Sequence, residues 1–297
     1  MPGPGPSSGS SSARPTSGVP ASLRELGVRP SRRLGQNFLT DPRVAERIAA
    51  LVADPREPVL EIGPGLGGIT LLLAQTARPL VAVEIDFRLA DALGQKLRPY
   101  PAARVVRGDI LEQRIEALFP GTESVTVVAN LPYSITTPVI EWLIGSGALV
   151  RRALLTVQRE YARRLDAAPG GKEHGSISVY VGLHAEISPL FRVSPGAFHP
   201  RPAVDSVVLE LKPRPYPGTT PPERAAAERL ARAAMGTRRK TIGNALARGL
   251  AIDGLAARSL LAAAGIDPAR RGETLEMPEW IVLARSWIEA GRPGGGA

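Results

Sequence analysis

The chain has 297 residues, 43% of them hydrophobic and 22% charged, a balance that supports a buried core and excludes a wholly disordered chain. It contains no cysteine, which excludes a disulfide framework, a cysteine nucleophile and thiolate metal or iron–sulfur ligation; its three histidines, His174, His184 and His199, include no pair at helical zinc spacing, so no metal site is expected. The formal charge of +9 is unevenly placed: residues 57–212 hold sixteen cations and sixteen anions, whereas residues 1–56 carry +4 and residues 213–297 carry +5, which puts the basic character where a polyanionic partner would be met.

Residues 1–22 are rich in Pro, Gly and Ser and nearly free of large apolar side chains. They cannot offset the entropy of ordering and read as a disordered tail, with no apolar segment of the kind a secretory signal needs. No apolar run is long enough to span a membrane, so a cytoplasmic location is expected. From Asp41, an N-cap followed by Pro42, the residues Val44, Ile48 and Leu51 fall at helical spacing, and Pro55 and Pro58 end that helix.

Residues 59–62 then read as a short buried strand, 63–68 as a glycine-rich turn, 69–77 as a helix, 80–84 as a second strand and 87–97 as a helix. Third and fourth strands follow at 104–106 and 125–129, with a helix at 111–118 between them and another at 133–143. Strands are expected again at 153–158, 176–185 and 206–211. Strands and helices alternating at this rhythm imply an α/β fold with a doubly wound, mainly parallel sheet, whose ligands lie at the carboxyl ends of the strands. After the proline-rich stretch 213–222, four segments carry apolar residues at helical spacing: 222–234, 239–248, 255–264 and 278–288. The expected division is a tail (1–22), a Rossmann-like domain with an N-terminal lid (23–212) and a small all-helical domain (213–297).

Gly63, Gly65 and Gly68 match a nucleotide-loop spacing, and Glu84 stands 21 residues after Gly63, where a carboxylate accepts from ribose hydroxyls. A glycine turn that merely packs helix on strand would look the same. Glu61, two residues before the first glycine, puts negative charge beside the loop; it would repel a pyrophosphate and tolerate a sulfonium with an amino group, which favours S-adenosylmethionine over a nicotinamide dinucleotide. Asp109, after the third strand, is placed to accept from an adenine amine, or to cap the following helix.

Asn130-Leu131-Pro132-Tyr133 directly follows the fourth strand. With Gly35-Gln36-Asn37-Phe38-Leu39, Glu61-Ile62-Gly63-Pro64-Gly65, Val83-Glu84-Ile85-Asp86, Gly108-Asp109, Gln158-Arg159-Glu160 and the segment from Phe198 through Pro200, Pro202 and Val204-Asp205-Ser206, it makes residues 34–277 resemble the ribosomal RNA adenine dimethyltransferases, which make N6,N6-dimethyladenosine in small-subunit ribosomal RNA. The resemblance implies a Rossmann-like fold that uses S-adenosylmethionine during ribosome assembly. It implies donor contacts from Asn37, Leu39, Gly63, Glu84, Asp109 and Asn130, a catalytic motif at Asn130, Leu131, Pro132 and Tyr133, and a target base held between Tyr133 and Phe198. Arg238, Arg239 and Lys240 would meet RNA phosphate; charge runs are usually solvated helix faces, but the segregation of the net charge into the two ends argues against that reading here.

The implied partner is small-subunit ribosomal RNA in an assembling particle, bound by a monomer without a membrane. Ser134 and Gly243 depart from the family pattern, where Asn or Tyr, and Arg, are expected. The alternatives are an adenine methyltransferase acting on large-subunit ribosomal RNA, a non-catalytic assembly or transcription factor on the same fold, and a small-molecule methyltransferase. The 198–206 segment argues against the first, the intact 130–133 motif against the second and the basic ends against the third.

Overall fold

A computed structural model describes residues 24, 30, 35–76, 78–237 and 239–291; the tail expected at 1–22 lies outside them. The elements run β1 (Phe38–Leu39), α1 (Pro42–Ala50), β2 (Val59–Ile62), α2 (Gly68–Ala74), β3 (Leu80–Glu84), α3 (Phe87–Leu97), β4 (Ala103–Arg107), α4 (Ile115–Leu118), β5 (Val125–Asn130), α5 (Thr136–Gly145), β6 (Val150–Gln158), α6 (Arg159–Leu165), α7 (Ser176–His184), β7 (Ala185–Val193), β8 (Phe198–His199), β9 (Ser206–Pro213), α8 (Pro221–Met235), α9 (Ile242–Gly249), α10 (Gly254–Ala263) and α11 (Met277–Glu289).

Seven strands form one sheet in the order β4-β3-β2-β5-β6-β9-β7. The first five are mutually parallel, and β9 enters antiparallel between β6 and β7. The order reverses beside β2, so the carboxyl ends of β2 and β5 open a crevice, the position where such sheets take ligands. Strand residues alternate between two cores, as the pleat requires. Leu60, Ile62, Val81, Val83, Val127 and Ala129 face α5 and α6, while Val59, Leu80, Ala82 and Val128 face α1, α2 and α3. Both faces are covered, which is why these strands read as continuous apolar runs rather than alternating ones.

Two helices start as their sequences dictate. Asp41 accepts from the Arg43 N–H with Pro42 in the first turn, and Thr220 and Glu223 form a reciprocal capping box ahead of α8, each supplying acceptors for N–H groups the helix cannot satisfy itself. A third core, around Leu230, Leu246, Leu261, Trp280 and Trp287, holds α8 to α11 together and takes in Val179 and Leu183 of α7. Arg232 of α8 reaches across to Glu141 of α5 at 2.9 Å while pairing with Glu228 at 2.8 Å. Among the described residues no helix is long and apolar enough to cross a membrane.

Three expectations require correction. Residues 176–184 form helix α7 and not a strand. Val181 enters the sheet core while Val179 and Leu183 enter the helical one, so the segment is apolar on opposed faces and its small and β-branched residues imitate strand alternation. The strand lies just beyond, at β7; Pro189 sits in it at a register shift on the sheet edge, where a missing N–H is tolerated. The helix expected at 111–118 is interrupted: Asp109 caps a single 3-10 turn over Ile110–Glu112, and a separate short helix, α4, follows. Residues 239 and 240 precede α9, so this part of the basic run lies in the connection after α8 and not on a helix face.

Candidate active site

The crevice at the β2 and β5 ends continues into a cavity of about 340 Å³. Asn37, Leu39, Gly63, Glu84, Asp109, Asn130, Leu131, Pro132, Tyr133 and Phe198 all line it, so separated stretches of sequence converge on one space.

The glycine loop is held open by a carboxylate. Gly63 and Gly65 have φ of +65° and +56°, the left-handed region that glycine enters without strain. The Gly63 N–H continues the ladder to the Val83 carbonyl at 2.9 Å, and the Gly65 N–H donates to Glu84 Oε2 at 3.0 Å. Glu84 Oε1 accepts from the Asp86 N–H at 2.9 Å. Each Glu84 oxygen keeps acceptor capacity beyond these bonds, so the same carboxylate shapes the loop and presents oxygens to the cavity. Glu84 is 4% exposed, and burial raises its carboxyl above the usual range against the backbone donors of Asp86, Gly65 and Ile85 that lower it. A Cβ on Gly65 would lie 2.9 Å from Phe38 Cδ1; the 35–39 motif therefore packs an aromatic ring directly onto the loop.

The 38–40 segment is also tied to the far end of the cavity wall. Phe38 and Leu39 pair antiparallel with His199 and Phe198, and the Thr40 N–H donates to the Ala197 carbonyl at 2.8 Å. Phe198 is only 5% exposed and forms wall, whereas Tyr133, 59% exposed, presents its ring at the mouth. Arg159 of α6 donates through its backbone to the Asp205 carbonyl at 2.9 Å and pairs with the Asp205 carboxylate at 3.2 Å, which joins two motifs 46 residues apart.

Asn130 ends β5, and its Nδ2 donates to the Asn37 carbonyl at 2.9 Å. A carbonyl only accepts, so the amide nitrogen must face Asn37 and the amide oxygen is left for another donor. The next residue is fixed as firmly: the Leu131 N–H donates to the Thr156 carbonyl at 3.1 Å, and the Thr136 hydroxyl donates to the Pro132 carbonyl at 2.9 Å. Asn130, Leu131 and Pro132 are thus set by backbone and side-chain hydrogen bonds before any ligand arrives. Asp109 Oδ1 accepts from the Leu111 N–H at 2.9 Å, so it serves as a cap, one of the two roles its position suggested, and it also lines the cavity.

Three carboxyl side chains, Glu61, Glu84 and Asp109, line the cavity, and no lysine, arginine or histidine among the described residues does. Such a lining suits a ligand carrying positive charge and a ribose, and S-adenosylmethionine has both. Ser134 also lines it. Gly243 is buried in α9, its N–H bonded to the Pro268 carbonyl at 3.2 Å, and a Cβ there would stand 3.2 Å from Pro268 Cβ, so a side chain requires Pro268 to give way. Arg239 and Lys240 are exposed and lie away from the cavity walls; Arg238 is outside the described residues.

Sequence reasoning missed the contacts that organise the site: Phe38 on Gly65, Asn37 under Asn130, and the pairing of residues 38–39 with 198–199. Only the spacing of a Gly-x-Asn-Phe-Leu motif ahead of the sheet could have hinted at them.

Comparison with known proteins gives a consistent result. The family profile described as "Ribosomal RNA adenine dimethylase" matches residues 28–282. Proteins named "Ribosomal RNA small subunit methyltransferase A" from Geobacter metallireducens and Geobacter sulfurreducens are 41% and 43% identical, each match covering 91% of this chain and 99% of the relative. Among solved structures, a dimethyladenosine transferase from Plasmodium falciparum superposes with a TM-score of 0.72 at 22% identity, over 87% of this chain and 100% of that one. The 23S rRNA methyltransferase ErmE gives 0.61 at 27% identity, over 84% and 98%.

Proposed function

The chain belongs to the ribosomal RNA adenine dimethylase family, and from that premise we propose that it uses S-adenosylmethionine to methylate N6 of adenine twice in small-subunit ribosomal RNA. One observation carries the reading: the amide of Asn130 is locked by Asn37 with its oxygen left to accept, at the edge of a cavity whose charged lining is acidic. S-adenosylmethionine supplies an electrophilic methyl group. Glu84 would take the ribose hydroxyls, Asp109 the adenine amine, and Asn37, Leu39 and Gly63 the remaining walls.

The chemistry explains why these residue types suffice. The N6 lone pair of adenine is delocalised into the ring and is a poor nucleophile until that nitrogen pyramidalises. In the first transfer the Asn130 side-chain oxygen and the Leu131 carbonyl would accept from its two N–H groups and turn the lone pair outward; in the second, one N–H remains to be held. Because both acceptors are already held, the contribution is positioning and electrostatic. No side-chain base is needed, since the proton leaves readily once nitrogen has become cationic. The exposed Tyr133 ring would stack on an extruded base, a contact of about 1–3 kcal/mol, with Phe198 as the wall behind it.

The helical part, residues 213–297, would supply a second RNA-binding surface through Arg238, Arg239 and Lys240. The enzyme would act as a monomer, in the cytoplasm, on an assembling particle. The likeness to ErmE raises a large-subunit substrate as the second reading; the higher identity to the small-subunit relatives weighs against it. Incubating the protein and labelled donor with undermethylated small and large subunits decides between them. Label confined to the small-subunit RNA is expected, and label in the large-subunit RNA would overturn the assignment.

A further inference from the structure

Two of the three cavity acids have structural duties, Glu84 on the glycine loop and Asp109 on its 3-10 turn. Glu61 has none. It is 3% exposed, and its Oε2 is buried without a hydrogen-bond partner. Its neighbours in register are Ala82 on β3 and Val128 on β5, which offer no countercharge. From α2 the Thr70 hydroxyl lies alongside and favours the ionised form, and the charged group facing it, Glu84, opposes that form. Cations near the loop are engaged elsewhere, Arg88 with Asp86 and Lys96 with the Leu66 carbonyl. Burial above all, with Glu84 adding to it, pushes the Glu61 carboxyl up to about 7.

A carboxylate buried beside a second one, with no countercharge facing it, is a costly arrangement, and it persists here on the wall of the ligand cavity. The donor and product of the proposed reaction share the amino acid and nucleoside portions and differ by one methyl group and one positive charge, sulfonium against thioether. We propose that Glu61 is the residue by which the cavity tells donor from product: its carboxyl holds a proton when the cavity is empty or contains the product, and releases that proton to solvent when the sulfonium donor binds. This rests on the assignment of S-adenosylmethionine to the cavity. The protons balance. Donor binding releases one from Glu61. Transfer breaks the sulfur–methyl bond, leaves its electron pair on sulfur, forms the N6–methyl bond and sends the N6 proton to solvent. Glu61 then takes one proton back as the sulfur becomes neutral, so each methyl transferred releases one proton overall.

The test is titration calorimetry of the intact protein with S-adenosylmethionine and, separately, S-adenosylhomocysteine, each at pH 6 and in buffers of different ionisation enthalpy. The slope of heat against buffer enthalpy should report release of close to one proton with the donor and none with the product. In Glu61→Gln the release should vanish, and donor affinity should fall by about tenfold or more, the effect of roughly one pK unit of lost charge interaction, while product affinity stays near wild type. Equal weakening of both ligands would mean a structural role, and an unchanged proton release in the variant would place the titrating group elsewhere; either overturns the proposal. If Glu61→Gln does not fold, the wild-type buffer series decides alone, since donor binding without proton release refutes the inference. Failure of the wild-type protein to bind the donor at all refutes the cofactor assignment instead.

Discussion

Replacing Gly65 with alanine sets a new methyl group against two constraints at once. The backbone there has φ of +56°, and an L side chain in the left-handed region costs about 1–2 kcal/mol. The added Cβ would also stand 2.9 Å from Phe38 Cδ1 and 3.2 Å from Cε1, inside ordinary contact, so the ring or the loop must give way. If the loop moves, the 3.0 Å bond from the Gly65 N–H to the Glu84 carboxylate is strained, and a hydrogen bond to a charged group is worth about 1.5–3 kcal/mol. These costs fall on the half of the cavity proposed to hold the donor, where a loss of about 2 kcal/mol would weaken binding by roughly 30-fold. Calorimetry with S-adenosylmethionine measures the loss, and thermal melting checks that the sheet still folds. Phe38→Ala removes the ring, so Gly65→Ala should cost about 1 kcal/mol less in that background, the coupling expected of residues in contact. Donor affinity within about twofold of wild type, or an equal cost in both backgrounds, would refute the packing of the 35–39 motif on the glycine loop.

Other consequences follow from the same geometry. Asn130→Ala should lower kcat by about 10²–10³-fold, the loss typical of one fixed polar group at a reacting centre, with a much smaller change in donor Kd; Asn130→Asp should fare no better, because a carboxylate oxygen then faces the Asn37 carbonyl. Reversing charge at Arg239 and Lys240 together should weaken particle binding and flatten its salt dependence, by about one in slope for each phosphate that is no longer neutralised; an unchanged slope in filter binding would remove this surface from the RNA interface. His184 is held neutral, its pKa pushed down to about 4 by burial and then by Arg224, so its 3.8 Å approach to Glu228 is not an ion pair at neutral pH. A group whose folded pKa lies below its unfolded value of 6.5 contributes stability above about pH 6.5 that is lost as pH falls toward 4. That difference is worth up to about 3 kcal/mol. Melting temperatures from pH 7 to 4.5 should show the loss, and His184→Gln should reduce it.

Much of the architecture was legible because its signals are local. Short apolar runs such as 80–84, bounded by glycine, proline and capping acids, announce buried parallel strands, and Asp41-Pro42 announces a helix start. Helix α7 was not legible, because residues 176–184 are buried on opposed faces by two cores, which erases the polar stripe that marks a surface helix. Strand β7 was hidden by Pro189, which only an edge position allows. The site divides in the same way. Its polar residues follow glycines or end strands, where sequence displays them. Their supports are contacts across long separations: Asn37 to Asn130 spans 93 residues, and Leu39 to Phe198 joins the first strand to the eighth. Periodicity carries no information about such pairs; only the folded sheet brings them together.

The central claim is chemical, and it is tested most directly by the identity of the product. Small subunits lacking the modification, incubated with the protein and isotopically labelled S-adenosylmethionine, then digested and resolved as nucleosides, should yield N6,N6-dimethyladenosine, with N6-monomethyladenosine only as a transient precursor. The Asn130→Ala protein should leave adenosine largely unmodified. Label that stops at the monomethyl nucleoside, or that appears on any atom other than N6, would contradict the account.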